Sequence, residues 1–341
     1  MRFRVLSDLH VDYNDRYPLE IPENGRDVFT VLCGDTSGGP ETTIDWVKKN
    51  VRRGVLVSGN HLPYCNHYEL PVSKKRTMAE LREVLAGAFP ADGDITYLDA
   101  EIGTVKKVVD GVLFLGSCCY TDMRISHETL NPNGDPALNR KCSEFNMNDY
   151  HYGYVKREWP LGSDNDPKLT RMTAGDYEKW FANALSAFDH ALSENEKSES
   201  PMPVVLITHH PLLPVFLTHS YYVDNCSNVW SWRDFNWASY ASDCREWMES
   251  HPSIKCYCCG HIHAVEKNWR GFKMNRKNGG DILVVSNTRG YVEHGHDYDF
   301  NINTFVDTET WDVIKEPLSK KDIAAHKALT EKLMRRSAWL M

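Results

Sequence analysis

The chain has 341 residues, 41% of them hydrophobic and 25% charged, with a formal net charge of -8. That length supports one large domain or two average ones with a buried core, and the composition excludes a disordered or fibrous chain. The acidic balance argues against broad, nonspecific nucleic-acid binding, though it leaves room for a local basic groove.

Arg2 to Leu6 (RFRVL) runs from the start of the chain straight into Asp8, so we expect a core strand there and no secretory leader. No apolar stretch approaches the length of a membrane span. Ten cysteines without a leader read as reduced thiols in a cytoplasmic protein. Val28 to Cys33 is a near-continuous apolar run, as in a strand buried on both faces, and Gly54 to Val57 is a second. Between them Ile44, Val47 and Val51 recur at helical spacing. Met78, Leu81 and Leu85 form another helical stripe that ends near Gly87, and Val112 to Leu115 reads as a strand.

Residues 121 to about 170 are rich in Asn, Asp, Pro and Tyr and show little periodicity, so we expect an insertion without clear elements, serving as a functional lid or as surface decoration. A long helix follows, with Tyr177, Trp180, Phe181, Leu185, Phe188 and Leu192 on one face and Thr173 and Asp176 placed to cap it. Val204 to Ile207 is the next strand. A second insertion, 218–240, is dense in aromatics (Tyr221, Tyr222, Trp230, Trp232, Phe235, Trp237, Tyr240), either a wall for a planar substrate group or a loop packed by its own rings. The last part is strand-rich: Lys255 to Cys259, Asp281 to Val285 and a hairpin around Thr304 to Val313. Cys256, Cys258 and Cys259 crowd one strand. They read as small core residues or as a thiolate zinc site, but no second Cys-x-x-Cys occurs to complete one. With no repeat and no flexible linker, we expect one domain over 1–317 and a C-terminal helix over 318–341 that packs on the body or on a partner. No feature of the chain specifies an oligomeric state.

The chemistry lies in five short pieces, each just after an apolar run: Asp8-Leu9-His10, Gly34-Asp35, Gly59-Asn60-His61, Thr208-His209-His210-Pro211 and Gly260-His261-Ile262-His263. One such piece is common by chance, and a lone histidine is more often a satisfied core or loop residue. Five at predicted strand ends are a different matter, because the C-terminal ends of strands in an α/β sheet converge on one crevice. In Asp8-x-His10 and His261-x-His263, two ligands spaced two apart can face one centre while the residue between points away. Imidazole nitrogen with carboxylate and amide oxygen suits manganese, iron, zinc, cobalt or nickel and disfavours calcium. Two divalent ions, offset by Asp8, Asp35 and a bridging hydroxide, would leave a net positive site that attracts a phosphoryl group. Two ions roughly 3.5–4 Å apart form a clamp for in-line displacement at phosphorus.

The pattern DLH, GD, GNH, THHP, GHIH over about residues 1–291 resembles the calcineurin-like metallophosphoesterase superfamily. Its ending, Ser286-Asn287-Thr288-Arg289-Gly290-Tyr291, is similar to that of a bacterial and phage branch of phosphoesterases. The resemblance implies an α/β fold with a two-sheet β-sandwich flanked by helices, a four-layer αββα arrangement. It also implies one metal bound by Asp8, His10, Asp35 and His263, and a second by Asp35, Asn60, His209 and His261, with Asp35 bridging. His210 adjoins His209, and the family pattern favours the first of the two. His61 matches the family histidine that contacts the phosphoryl oxygen or protonates the leaving group. Many members carry Glu after Gly-Asn-His, where this chain has Leu62; that Glu is not itself a ligand, so the metals are expected to bind, with different hydrogen bonding around their ligands.

The implied reaction is hydrolysis of a phosphomono- or phosphodiester by in-line attack of a metal-bridging hydroxide, with His61 as general acid. The two insertions suggest a small or nucleotide-like substrate. A metal-dependent nuclease is the first rival, disfavoured by the acidic charge and the lack of a basic stripe. A non-catalytic binding protein on the same fold is the second, disfavoured because every expected ligand type is present.

Overall fold

The structure is a computed structural model that describes residues 1–67, 69–126, 131, 133–157, 168–218, 237–263, 270–294 and 300–316. Two six-stranded mixed sheets lie face to face. The first has the order β14-β13-β1-β2-β3-β4 and the second β11-β12-β10-β9-β6-β5. Their strands are β1 (Arg2–Leu6), β2 (Phe29–Cys33), β3 (Gly54–Val57), β4 (Ile95–Tyr97), β5 (Lys106–Val109), β6 (Val112–Ser117), β9 (Val204–Thr208), β10 (Ile254–Cys259), β11 (Gly271–Asn275), β12 (Asp281–Ser286), β13 (Thr304–Asp307) and β14 (Asp312–Lys315). In each sheet four strands run parallel: β1 to β4 in the first, and β6, β9, β10 and β12 in the second. Antiparallel strands flank them, β13 and β14 on one edge of the first sheet, β5 and β11 on the edges of the second.

Alternation along the strands divides each sheet into two faces. Phe3 and Val5, Phe29, Val31 and Cys33, Val55 and Val57 of the first sheet meet Phe114, Val205 and Ile207, Cys256 and Cys258 of the second in one inter-sheet core. Cys256 and Cys258 of β10 are buried there as small apolar residues, and Cys259 is buried in the other core cluster. The outward faces, with Leu6, Leu32, Leu56, Leu115 and Leu206, pack under helices α1 (Pro40–Asn50), α2 (Met78–Ala88) and α5 (Ala174–Glu196). This is the expected sandwich flanked by helices. The long α5 starts as its sequence predicts: the Asp176 carboxylate accepts the Thr173 backbone amide at 2.7 Å and its hydroxyl at 3.1 Å.

The described residues of the segment 121–170 form more regular structure than the sequence suggests. It contains helix α3 (Pro136–Asn146), the short helix α4 (Asp149–Tyr152) and a two-stranded ribbon of β7 (Tyr154–Arg157) and β8 (Lys168–Arg171). The buried positions of α3 are polar, Asn139 and Ser143, so no hydrophobic stripe announces it. Asn139 instead donates to the carbonyls of Met123 and Ile125. Most of the aromatic stretch 218–240 and the expected C-terminal helix over 318–341 lie outside the described residues.

An aromatic cluster pins the two sheets together: Phe114 of β6 lies 5.5 Å from Phe3 and 4.8 Å from Phe29, ring to ring. Phe114→Ala would leave a cavity at this fully buried contact. We expect a loss of about 3–5 kcal/mol of stability, read as a lowered urea midpoint at unchanged slope.

Candidate metal centre

Every residue singled out as a candidate ligand lies just beyond the C-terminal end of a central parallel strand. Asp8 and His10 follow β1, Asp35 follows β2, Asn60 and His61 follow β3, His209 follows β9, and His261 and His263 follow β10. The two sheets therefore bring five loops to one end of the sandwich. Within these loops the chain turns sharply. Asp8, His10, Asp35 and His261 have φ of 52°, 43°, 47° and 67°, the left-handed region that ordinary side chains avoid. Backbone hydrogen bonds between loops hold them so: Asp8 N to Gly34 O at 3.0 Å, His10 N to Asp35 O at 3.1 Å and Gly290 N to Asp8 O at 2.8 Å. Two glycines admit the carboxylates: a Cβ at Gly59 would collide with Asp35, and one at Gly260 with Ser7 and Asp8.

The side chains form three interlocking groups, each with ligand atoms within 4.8 Å of one another: Asp8, His10 and His263; His10, Asp35 and His61; Asp8, Asp35 and His209. In the first, His263 Nε2 lies 3.0 Å from Asp8 Oδ1 and 3.1 Å from His10 Nε2. Asp35 Oδ2 stands 3.9 Å from His10 Nε2, 3.8 Å from His61 Nε2 and 3.4 Å from His209 Nε2. Asn60 Oδ1 is 2.9 Å from His209 Nε2. His261 stands outside these groups: its ring is 5.1 Å from that of His209 and stacks on Tyr240. His210 turns away, with Nδ1 facing Cys118 Sγ at 3.9 Å.

Charge and burial set the protonation states. Burial alone would raise the Asp35 carboxyl, but His209 and His61 pull it well below the usual carboxylate range. Burial likewise opposes charge on His209, and Asp35 overrides it, lifting the imidazole to about 9. Burial, reinforced by neighbouring imidazoles, holds His10, His210 and His261 well below the ordinary histidine value, hence neutral near pH 7.

This donor set fits a metal cation. Neutral imidazoles are the ligating form. The buried His261 Nε2 has no hydrogen-bond partner among the described residues. His209 Nδ1 faces the Cys33 carbonyl at 2.9 Å, so Nε2 is the atom turned toward Asn60 and Asp35, and a cation there would replace its proton.

Sequence reasoning left several neighbours unmarked. Tyr291 stacks on His10 at 4.7 Å, and its hydroxyl lies 3.3 Å from His61 Nε2. Tyr64 stacks on His61 at 3.9 Å. Asn60 Nδ2 donates to Asp149 at 2.8 Å, from inside the segment 121–170. A tyrosine or aspartate alone in a loop carries no spacing signal. Arg289, in the ending noted above, directs Nη2 to the Tyr17 carbonyl. Leu62, next to His61, is buried in the core.

Comparison with known proteins then bears on the fold and the family. The chain is similar to the phosphopantetheinyl hydrolase of Mycobacterium tuberculosis, at 15% identity and a TM-score of 0.54, over 85% of this chain and 89% of that one. That likeness shows a shared fold. The NAD nucleotidase of Haemophilus influenzae aligns at 10% identity and a TM-score of 0.33, over 91% of this chain and 43% of that one. No protein of curated function matches the sequence. The profile of the calcineurin-like phosphoesterases matches residues 1–265, a span that includes every strand end from Asp8 to His263. On that match the chain belongs to the calcineurin-like phosphoesterase family.

Proposed function

We propose that this metal-dependent phosphoesterase hydrolyses a small or nucleotide-like phosphomono- or phosphodiester at a centre for two divalent transition-metal ions. The observation that carries the reading is the place of Asp35, whose Oδ2 stands 3.9 Å from His10 Nε2 after β1 and 3.4 Å from His209 Nε2 after β9, between the two donor sets, and so suits a bridging carboxylate. Asp8, His10, Asp35 and His263 would hold one ion, and Asp35, Asn60, His209 and His261 the other. When bound, the ions would supply the charge that attracts a phosphoryl group and the acidity that ionises water near neutral pH.

The remaining work falls to the protein's own groups. His61 is assigned the proton for the departing oxygen: its ring is fixed on Tyr64, and Nε2 faces the Tyr291 hydroxyl and the Asp35 carboxylate. Tyr13 is half exposed and packs edge-on to His10, His61 and Tyr291, which supports an aromatic rim for a planar substrate group. Among the described residues no helix is long and apolar enough to cross a membrane.

The direct test strips the protein of metal, restores manganese, iron, cobalt, nickel or zinc one at a time, and assays a chromogenic monoester beside a chromogenic diester. Metal-dependent turnover is expected, and the preferred ester selects the class. No ester hydrolysis, with metal-dependent cutting of DNA, would move the assignment to a nuclease. Protein that binds no ion would move it to a binding protein.

Asp35→Asn should lose more activity than the roughly 10–100-fold typical of an outer-shell change, together with bound metal. Near-normal turnover would sink the assignment. His61→Ala should keep its ions and lose about 10²–10⁴-fold in kcat on an alkyl phosphoester. The loss should be much smaller with a nitrophenyl ester, whose leaving group departs without a proton. Equal losses on both esters would remove His61 from the acid role.

A further inference from the structure

Asp149 is fully buried and belongs to none of the donor groups described above. It opens α4, inside the segment 121–170, and its carboxylate collects three hydrogen bonds from three separate elements. Asn60 Nδ2 and the Tyr64 hydroxyl both donate to Oδ1, at 2.8 and 2.7 Å. The Tyr177 hydroxyl of α5 donates to Oδ2 at 2.8 Å. Burial raises the carboxyl above its ordinary value, and the bonds from Tyr64 and Asn60 oppose that rise. A carboxylate sunk this deep with neutral donors is a costly way to fill space.

Its geometry offers a use. A carboxamide can present either oxygen or NH₂ to a neighbour, and NH₂ cannot bind a cation. Both Asp149 oxygens are acceptors here, Oδ1 from Tyr64 as well as Asn60 and Oδ2 from Tyr177, so Asp149 commits Nδ2 and leaves Asn60 Oδ1 facing His209. The same Asp149 oxygen holds the Tyr64 hydroxyl, and the Tyr64 ring is stacked within 25° of parallel on His61. One atom therefore governs the orientation of Asn60 and, through Tyr64, of His61.

We propose that Asp149 is a positioning residue for the metal centre: it fixes Asn60 with its oxygen toward the second ion and holds the Tyr64 platform under His61. The segment 121–170 then contributes an orienting carboxylate to the site. This rests on the reading of Asn60 as a ligand.

A double-mutant cycle on the full chain tests it, with calorimetric titration of manganese into metal-stripped protein as the first readout. Asp149→Asn should weaken the second equivalent of manganese about 10–100-fold and leave the first unchanged. Asn60→Asp alone would set two carboxylates face to face and should lose more. Combining the two exchanges donor and acceptor, and should recover most of the second-ion affinity. A merely structural Asp149 would lower the melting temperature and leave that affinity unmoved. Should Asp149→Asn fail to fold, Tyr64→Phe still reads the second arm: kcat is expected to fall about tenfold at an unaltered melting temperature.

Wild-type affinity in Asp149→Asn, no recovery in the double variant, or an unchanged kcat in Tyr64→Phe would each overturn the proposal. Wild-type protein that binds fewer than two ions would overturn the metal reading and this proposal with it. Wild-type protein that binds two, matched by Asp149→Asn, overturns this proposal alone.

Discussion

Two carboxylates buried at the seam between the sheets, Asp8 and Asp35, are what the rest of the site depends on. A buried carboxylate is tolerable only where donors or cations surround it. Here the donors come from across the seam as well as from beside it. Asp8, after the first sheet's β1, accepts the backbone amide of His261 from the second sheet at 3.1 and 3.0 Å, and the Ser7 hydroxyl at 2.5 Å. Asp35 accepts the amide of His61 at 3.0 Å and faces His209 from the opposite sheet. Satisfying the carboxylates and aligning the sheets are thus one event. The imidazoles drawn in by that event are the same ones that could coordinate metal.

The strained loops follow from the same constraint. To aim Asp8, His10, Asp35 and His261 at one point, the backbone enters the left-handed region at all four. Each such residue costs on the order of 1–3 kcal/mol. The frame that sustains this cost is conventional: four parallel strands per sheet, an apolar layer between them, and amphipathic helices outside, α2 and α5 with capping boxes. Rigidity in the sandwich permits precision at its end.

Much of this was legible in the chain. The apolar runs became strands because fully buried parallel strands need no polar alternation, so VFTVL, GVLV and VVLI are explicit. The candidate ligands stood out because their pieces recur at strand ends. The edge strands β5 (KKVV) and β11 (GFKMN) were not, because one face of each meets solvent and the runs are short. Helix α3 was hidden because its inward positions are polar: Asn139 bonds backbone carbonyls, and Ser143 bonds the side chains of Met123 and Ser239. Asp149 was hidden for a deeper reason. Its partners Asn60, Tyr64 and Tyr177 are up to 89 residues away, and only the folded chain brings them together.

The position of β1 sets an order of assembly. It lies inside the first sheet, between β2 and β13, and the loop after it is stitched to the end of β12 by a bridge between Ser7 and Thr288. Asn287 donates to the Val5 carbonyl, and Gly290 to that of Asp8. The first candidate ligands of the chain therefore acquire their final backbone bonds only from residues near position 290. On a ribosome, β1 to β4 and their helices can pair as they emerge. The candidate site must wait for nearly the whole chain, so the earliest residues of the site to be made are among the last to be fixed, and a truncated product would have much of the sandwich without a complete site.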